Sequence, residues 1–429
     1  MTIIKLINIA LRNLFRNSRR TLITVLVSAS GFAALAIIAG YMDFTFFGLR
    51  EMTICEGFTA SGGTGHLQIF KQDALQKEER YPLEYGIEAN DKLQSTIESA
   101  GNISFTIPRV EFNGLISNGE KSISFLGMGV DPVKESKLIQ YWNSLDNMSV
   151  KVILSDSSYV QLKKTAPNGV LLGEEMAKAL NVKSGSGLML MSTTVDGAVN
   201  VVDVTVAGIV RNTIKSISRY YLLTTIKTAQ NLMQTDKVSK IVVVLNKTEN
   251  TDPVRPLLSK RLNGSSAKPL FSVIPWHDLA EYYNSVMDAY RIIFSFSGII
   301  IVVIVFLSCT NTMLMATMER VKEIGTLKAI GISNIWIILM FLFEGFFIGL
   351  ISVVVGIALK YIFSWIINNS GFMMPPPPGM SFPYRLNIFS AVEFLPWISL
   401  LVIVSTTFSG LLTFVKIRKI SIVNSLTHV

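Results

Sequence analysis

Four long apolar runs, the first separated from the other three by an extended polar stretch, limit what this chain can fold into more than any other feature. TLITVLVSASGFAALAIIAGYM (21–42), IIFSFSGIIIVVIVFLSCTNTMLMATM (292–318) and FLPWISLLVIVSTTFSGLLTFV (394–415) carry no charge. Each is long enough to cross roughly 30 Å of hydrocarbon at about 1.5 Å per residue. The remaining run, 335–367, contains Glu344 and Lys360; a tilted helix would keep its middle in lipid and let Lys360 snorkel toward an interface. One such run would suit the core of a soluble protein, but four do not. Half of the residues are hydrophobic and only 16% are charged, which is far from the charge content of a soluble domain. The fold expected is a helical membrane protein with four transmembrane helices and a large inserted domain.

Basic residues set the orientation. Lys5, Arg12, Arg16, Arg19 and Arg20 precede the first run, Arg320, Lys322 and Lys328 lie between the second and third, and Lys416, Arg418 and Lys419 follow the fourth. All three clusters fall on one side of the membrane, which the positive-inside rule makes the cytoplasm. These flanks account for much of the net charge of +9, so the charge calls for no nucleic acid. The first run exceeds the apolar core of a cleaved signal peptide and reads as an anchor.

The expected divisions are a cytoplasmic amphipathic helix (1–20), a first span (21–49), a periplasmic domain (50–285), a second span (286–318), a cytoplasmic connecting helix (319–333), a third span (334–367), a periplasmic Pro-rich loop (368–393), a fourth span (394–415) and a cytoplasmic tail (416–429). At the N-terminus Ile4, Ile7, Leu11, Leu14 and Phe15 recur at helical spacing among basic residues. Such a helix lies along the inner leaflet or packs against protein.

The insertion, at about 235 residues, is long enough to fold around its own core. GHLQIF (65–70), SISFLGM (122–128), VVDVTVAGIV (201–210) and KIVVVL (240–245) read as strands bounded by turn-forming residues. EEMAKAL (174–180), after a GVLLG strand, and the stretch from Thr225 to Gln234 read as helices. The mixture predicts an α/β or α+β domain. A helix from His277 through Tyr290 is expected to run on into the second span.

Chemistry-bearing residues are sparse. His66, His277 and His428 are scattered, and Cys55 and Cys309 lie far apart. No HExxH, zinc-spaced cysteine pair or nucleophile elbow occurs. SGGTG (61–65) and SGSG (184–187) lack the Lys-Ser/Thr that completes a phosphate-binding loop. No cofactor or metal site is therefore expected in the chain, and any nucleotide site belongs to a partner.

The most informative segment is MERVKEIGTLKAIGIS (318–333). Glu319, Arg320, Lys322 and Glu323 make a mixed-charge turn at a membrane exit, followed by Ile324, Leu327 and Ile330 as an apolar ridge before Gly331. A short helix here would lie across the bilayer surface and face a cytosolic protein; a solvated connector would also join the two spans. The segment resembles the hallmark of MacB/FtsX-like ABC transporter permeases, matching at Glu319, Arg320, Glu323, Ile324, Gly325, Leu327, Lys328, Ala329 and Gly331. ALRNLFRNSRRT (10–21) resembles the family's N-terminal helix, and GHLQIF resembles the first strand of its periplasmic domain, especially in the lipoprotein-releasing permeases.

That resemblance implies a type VII ABC permease architecture in the bacterial inner membrane. It implies that 319–331 is a coupling helix seated in a cytosolic ATPase dimer, which binds the ATP and Mg2+. It further implies a second permease copy or paralogue, paired through the first two spans, and motion of the periplasmic domains. The tail VKIRKISIVNSLTHV departs from the family pattern in lacking its prolines and glutamate. Three activities are compatible: release of lipoproteins with a periplasmic carrier, efflux through a periplasmic adaptor, and signalling without transport.

Two further places carry a functional reading. The loop NNSGFMMPPPPGMSFPY (368–384) has four successive prolines, Pro375, Pro376, Pro377 and Pro378, with Phe372 and Met374 beside them. These favour a stiff, extended segment: a lip contacting lipid or lipidated substrate, or a rigid cap joining two spans. Glu344, a charge inside a span, is either functional or answered by water or a basic residue near the cytoplasmic end.

Overall fold

The computed structural model describes residues 3–16, 18–57, 59–60, 62–72, 74, 83–143, 156–165, 168–212, 214–264, 269–376 and 381–417. The chain divides into a helical unit (1–46, 287–372 and 386–429) and an inserted unit (47–286 and 373–385).

The inserted unit is built on a nine-stranded mixed sheet. Its strands are β1 (Leu67–Lys71), β2 (Ile103–Ser117), β3 (Ser122–Val130), β4 (Gly169–Gly173), β5 (Gly187–Thr193), β6 (Val199–Val210), β7 (Tyr221–Thr225), β8 (Lys240–Leu245) and β9 (Phe271–Pro275). The order β3-β7-β4-β6-β5-β2 returns to β3 through the β2–β3 pairing, so six strands close a small barrel. β8, β1 and β9 continue the sheet from the other half of β2. The β2–β3 hairpin turns at Asn118, whose Oδ1 accepts from the amides of Glu120 and Lys121 at 2.9 and 2.8 Å, the side-chain-to-backbone bonding that makes Asn a turn former. All six residues of β8 are buried, as its run of β-branched residues requires of a central strand.

Helices cover the sheet: α3 (Asp91–Glu98), α4 (Pro132–Asn143), α5 (Asp156–Thr165), α6 (Glu174–Leu180), α7 (Ile226–Met233) and α8 (Thr251–Asn263). Thr225 caps α7, its hydroxyl accepting from the Thr228 amide at 3.2 Å. The core gathers Leu67, Val110, Phe112, Leu172, Leu232 and Val243, each contributing about 1.5–3 kcal/mol through burial. The expected strands and helices are present, and β2, β5, β7 and β9 join them.

The helical unit contains α1 (Ile3–Arg16), α2 (Ser18–Cys55, which ends in the inserted unit), α10 (Glu281–Glu319), α11 (Val321–Ala329), α12 (Asn334–Ser370) and α13 (Leu395–Ile417). Among the described residues, α2, α10 and α12 are long and apolar enough to cross a membrane, while α13 carries a shorter apolar stretch, Leu395–Leu411. Small residues let α12 and α13 approach closely: a Cβ added at Gly345 would lie 2.5 Å from the Thr406 carbonyl, and one at Gly349 2.9 Å from the Ile403 Cα. This Gly-x-x-x-Gly spacing presents one flat face to the neighbouring helix.

Three expectations are corrected. A short helix, α9 (Trp276–Leu279), is broken off at Ala280 (φ −99, ψ 58), so the helix expected from His277 starts at Glu281 instead. Lys360 does not reach out to an interface. It is buried, donating to the Ser390 carbonyl at 2.7 Å with its ammonium 4.2 Å from the centre of the Tyr361 ring, because that carbonyl and ring replace water locally. On α1 the buried stripe is Leu6, Ala10 and Leu14, whereas Phe15 is 80% exposed; the helix packs against protein through a face one step away from the expected one.

Candidate functional site

α10 ends at Glu319, and Arg320 (φ −95, ψ 11) leaves helical geometry before α11 begins. α11 closes with a Schellman motif: Ile332 donates to the Leu327 carbonyl at 3.1 Å and Gly331 to the Lys328 carbonyl at 3.0 Å. Gly331 sits at φ +91, where a side chain is disfavoured. Ile332 then packs onto a cluster of Leu6, Ile324, Ile337, Met340 and Phe341. Two turns of helix are thereby clamped between α1 and α12.

α11 has two unlike faces. Val321, Ile324 and Gly325 are buried, whereas Lys322, Glu323, Thr326, Ala329 and Ile330 are exposed, with Leu327 and Lys328 between. The matched residues of the hallmark therefore divide: Arg320, Ile324 and Gly325 point inward and anchor the segment, while Glu319, Glu323, Ala329 and Gly331 are exposed.

Glu344 and Arg320 meet. The Arg320 guanidinium donates to both carboxylate oxygens at 3.2 and 3.1 Å and reaches the Asn13 carbonyl at 3.5 Å. Both side chains are less than a tenth exposed. The basic partner allowed for Glu344 is thus Arg320, and the pair joins α1, the start of α11 and α12. Two more ion pairs were not legible locally, Arg16 with Glu323 and Arg20 with Glu319. Being exposed, each is worth at most about 1 kcal/mol.

The Pro-rich loop is docked within the inserted unit. β10 (Met373–Met374) pairs with β11 (Tyr384–Arg385), the Ser381 hydroxyl donates to the Asn212 carbonyl at 2.8 Å, and the Arg211 guanidinium lies 5.1 Å from the Phe382 ring centre. Phe372, Pro375 and Pro376 are exposed and Met374 half-buried; Pro377 and Pro378 lie outside the described residues.

Two buried polar groups hold the base of the inserted unit. His66 is fully buried: Nδ1 accepts from the Leu245 amide and Nε2 meets the Thr248 hydroxyl, both at 3.1 Å. Thr248 in turn donates to Glu51 at 3.0 Å. Burial, with the nearby Arg50 charge second, pushes the imidazole down to about 4, so it is neutral and structural. Arg109, also fully buried, pairs with Glu135 and donates to the Gly63 carbonyl. His277 lies exposed beside Asp252 and Asp278, and His428 is outside the described residues. Among the described residues no group of three or more His, Cys, Asp or Glu is placed to hold a metal.

The fold and this segment define a multi-pass membrane permease with a large periplasmic-type domain. A family profile for the MacB-like periplasmic core domain matches residues 21–260, more than half of the chain, and one for the FtsX-like permease C-terminal region matches 295–422. The chain belongs to the MacB/FtsX-like permease family.

Among curated relatives, the ABC transporter permease YtrF of Bacillus subtilis (strain 168) is 41% identical over 88 residues, 20% of this chain and 20% of the relative. The lipoprotein-releasing system transmembrane protein LolC of Neisseria meningitidis serogroup B is 22% identical over 281 residues, 63% of this chain and 64% of the relative. The macrolide export ATP-binding/permease protein MacB of Bdellovibrio bacteriovorus is 32% identical over 123 residues, 28% of this chain and 19% of the relative. The matches thus span from about a fifth to just under two thirds of these relatives' lengths.

Proposed function

We propose that this chain is the permease subunit of an ABC transporter in the bacterial inner membrane, with four spans and both termini in the cytoplasm. A separate cytosolic ATPase dimer binds ATP and Mg2+, and α11 transmits its movement toward the periplasmic domain. The observation that carries the reading is the two-faced helix at the end of α10. One face is fixed to α1 and α12 by the Arg320–Glu344 pair and the Ile324 cluster, and the other offers Lys322, Glu323, Ala329 and Ile330 to a partner. A force applied to the exposed face reaches α12 through a buried ion pair without first bending α11.

α10 exposes Ile292, Phe296, Ile299 and Val303 along one side, which suits a second permease copy or paralogue packed along it. Lipoproteins or other lipidated molecules are the favoured substrates, because LolC of Neisseria meningitidis is a relative matched over 63% of this chain; the Pro-rich loop would then lie on the substrate side. Efflux with a periplasmic adaptor is the second reading, favoured by the MacB match.

Gentle-detergent purification from native membranes, with mass spectrometry of proteins and lipidated species, separates these. An ATPase with acylated polypeptides supports lipoprotein release, and an ATPase with an adaptor and no acylated cargo supports efflux. Absence of any ATPase refutes both. Replacing Glu323 and Ile330 on the exposed face should abolish permease-stimulated ATP turnover while leaving membrane insertion intact.

A further inference from the structure

Two polar side chains of α12, Lys360 and Asn368, have no part in the coupling described above. Lys360 is 1% exposed and, among the described residues, pairs with no carboxylate; its ammonium donates to the Ser390 carbonyl at 2.7 Å. A charge kept inside a span marks a functional position by default. Two turns on, Asn368 holds Ile388 by both backbone groups, accepting from its amide at 2.8 Å and donating to its carbonyl at 3.1 Å. The residue between them is taken by α2. The Phe389 amide donates to the Gly40 carbonyl at 3.2 Å, and the Phe389 ring meets Phe44 edge-on at 5.4 Å. A Cβ added at Gly40 would strike the Phe389 carbonyl, so glycine is what lets the chain approach this closely.

The other end of the same segment is fixed in the inserted unit. The Ser381 hydroxyl donates to the Asn212 carbonyl at 2.8 Å, and the Phe382 ring centre lies 5.1 Å from the Arg211 guanidinium. Arg211 and Asn212 open the connection from β6 to β7. Between the two anchorages stand Pro383, whose ring fixes φ, and β11, held extended against β10. From Phe382 to Ile388 the chain can span at most about 20 Å, and part of it is already extended. Such a segment has little slack, so a displacement at one end is felt at the other.

We propose that 381–390 is a strap that carries movement of α12 to the β6–β7 connection, with Lys360 and Asn368 as its positioning residues. Its purpose rests on the coupling role given to α11 under the proposed function. The Arg320–Glu344 pair passes a displacement to α12, and the strap delivers it to the inserted unit by a route separate from α2 and α10. The tie itself does not depend on that role.

The test is hydrogen–deuterium exchange of the full-length chain in micelles, without an ATPase. Asn368→Ala removes both bonds to Ile388 and should speed exchange in 386–390 by about tenfold. Through the strap it should also speed exchange in 214–220 several-fold. Ser381→Ala/Phe382→Ala, which frees the outer end, should speed 214–220 by a similar factor, and combining all three substitutions should add nothing further there. Unchanged exchange in β8 marks an intact fold; if Asn368→Ala disturbs β8, Asn368→Asp, which keeps the acceptor for the Ile388 amide, takes its place. No change at 214–220 on releasing Asn368, or effects there that add in the combined variant, overturns the proposal. Failure of the α11 coupling role shows in ATP turnover instead and is read separately.

Discussion

The Arg320–Glu344 pair makes the anchoring of α11 open to direct measurement. Arg320→Met leaves the Glu344 carboxylate buried without its cation, and Glu344→Leu takes from the guanidinium the carboxylate to which it donates at 3.2 and 3.1 Å. Breaking one side of a buried pair costs about 3–5 kcal/mol, whereas replacing both partners by apolar residues is often near neutral. At about 1.4 kcal/mol per tenfold, each single variant should speed hydrogen exchange of the 321–329 amides by roughly two to nearly four decades, up to the protection those amides start with. The double variant should recover most of it. Hydrogen–deuterium exchange mass spectrometry of the full chain in micelles reads this peptide by peptide. If the single effects are each below about 1 kcal/mol and simply add in the double variant, the pair does not hold α11 and the clamp argument fails.

Other predictions follow from the buried groups. His66 titrates near 6.5 when unfolded and at about 4 when folded, so as pH falls the unfolded chain takes up the proton first. Stability is intact above pH 6.5 and declines toward pH 4 by about 3 kcal/mol; His66→Gln should lessen that acid dependence in circular-dichroism melts at graded pH. Glu135→Gln removes the carboxylate charge paired with buried Arg109 inside the inserted unit and should destabilise it by about 1–3 kcal/mol, seen as a lower unfolding midpoint with no effect on exchange in α11. Gly331→Ala forces a Cβ into φ +91 and should cost about 1–2 kcal/mol, appearing as faster exchange at Ile332. Gly349→Leu should push α12 from α13 at Ile403 and cost about 1–3 kcal/mol, detectable as lost cross-linking between cysteines placed on the two helices.

Legibility in the sequence followed the range of the forces involved. β8 declares itself because five of its six residues are aliphatic and all are buried, and α7 because its Thr cap precedes a helical period. β2 contains Pro108, Asn113 and Gly114, residue types that are depleted in strand interiors. Yet Gly114 stands where a Cβ would strike the Met191 carbonyl, at the β2–β5 contact that closes the barrel. The hallmark at 319–331 was legible as a unit, but not which of its residues face inward. That depends on Glu344, 24 positions away from Arg320, and on α1, whose arginines read as cytoplasmic flanking charge and where Arg16 pairs with Glu323. Partner choice across such distances is set by the turn at Arg320 and the packing of three helices, which no local pattern encodes.

The sheet's connectivity also sets a timetable for biosynthesis. β1 is the first strand to follow α2, yet it pairs only with β8 and β9, the last two strands before α10. About 170 residues must be synthesised before β8 arrives, roughly 10–35 s at ordinary elongation rates. Throughout that interval an apolar strand waits with both edges open, the state most prone to mispairing. The finished domain has a barrel without free edges at its centre, but the route to it leaves its first strand unprotected until the last strands are made.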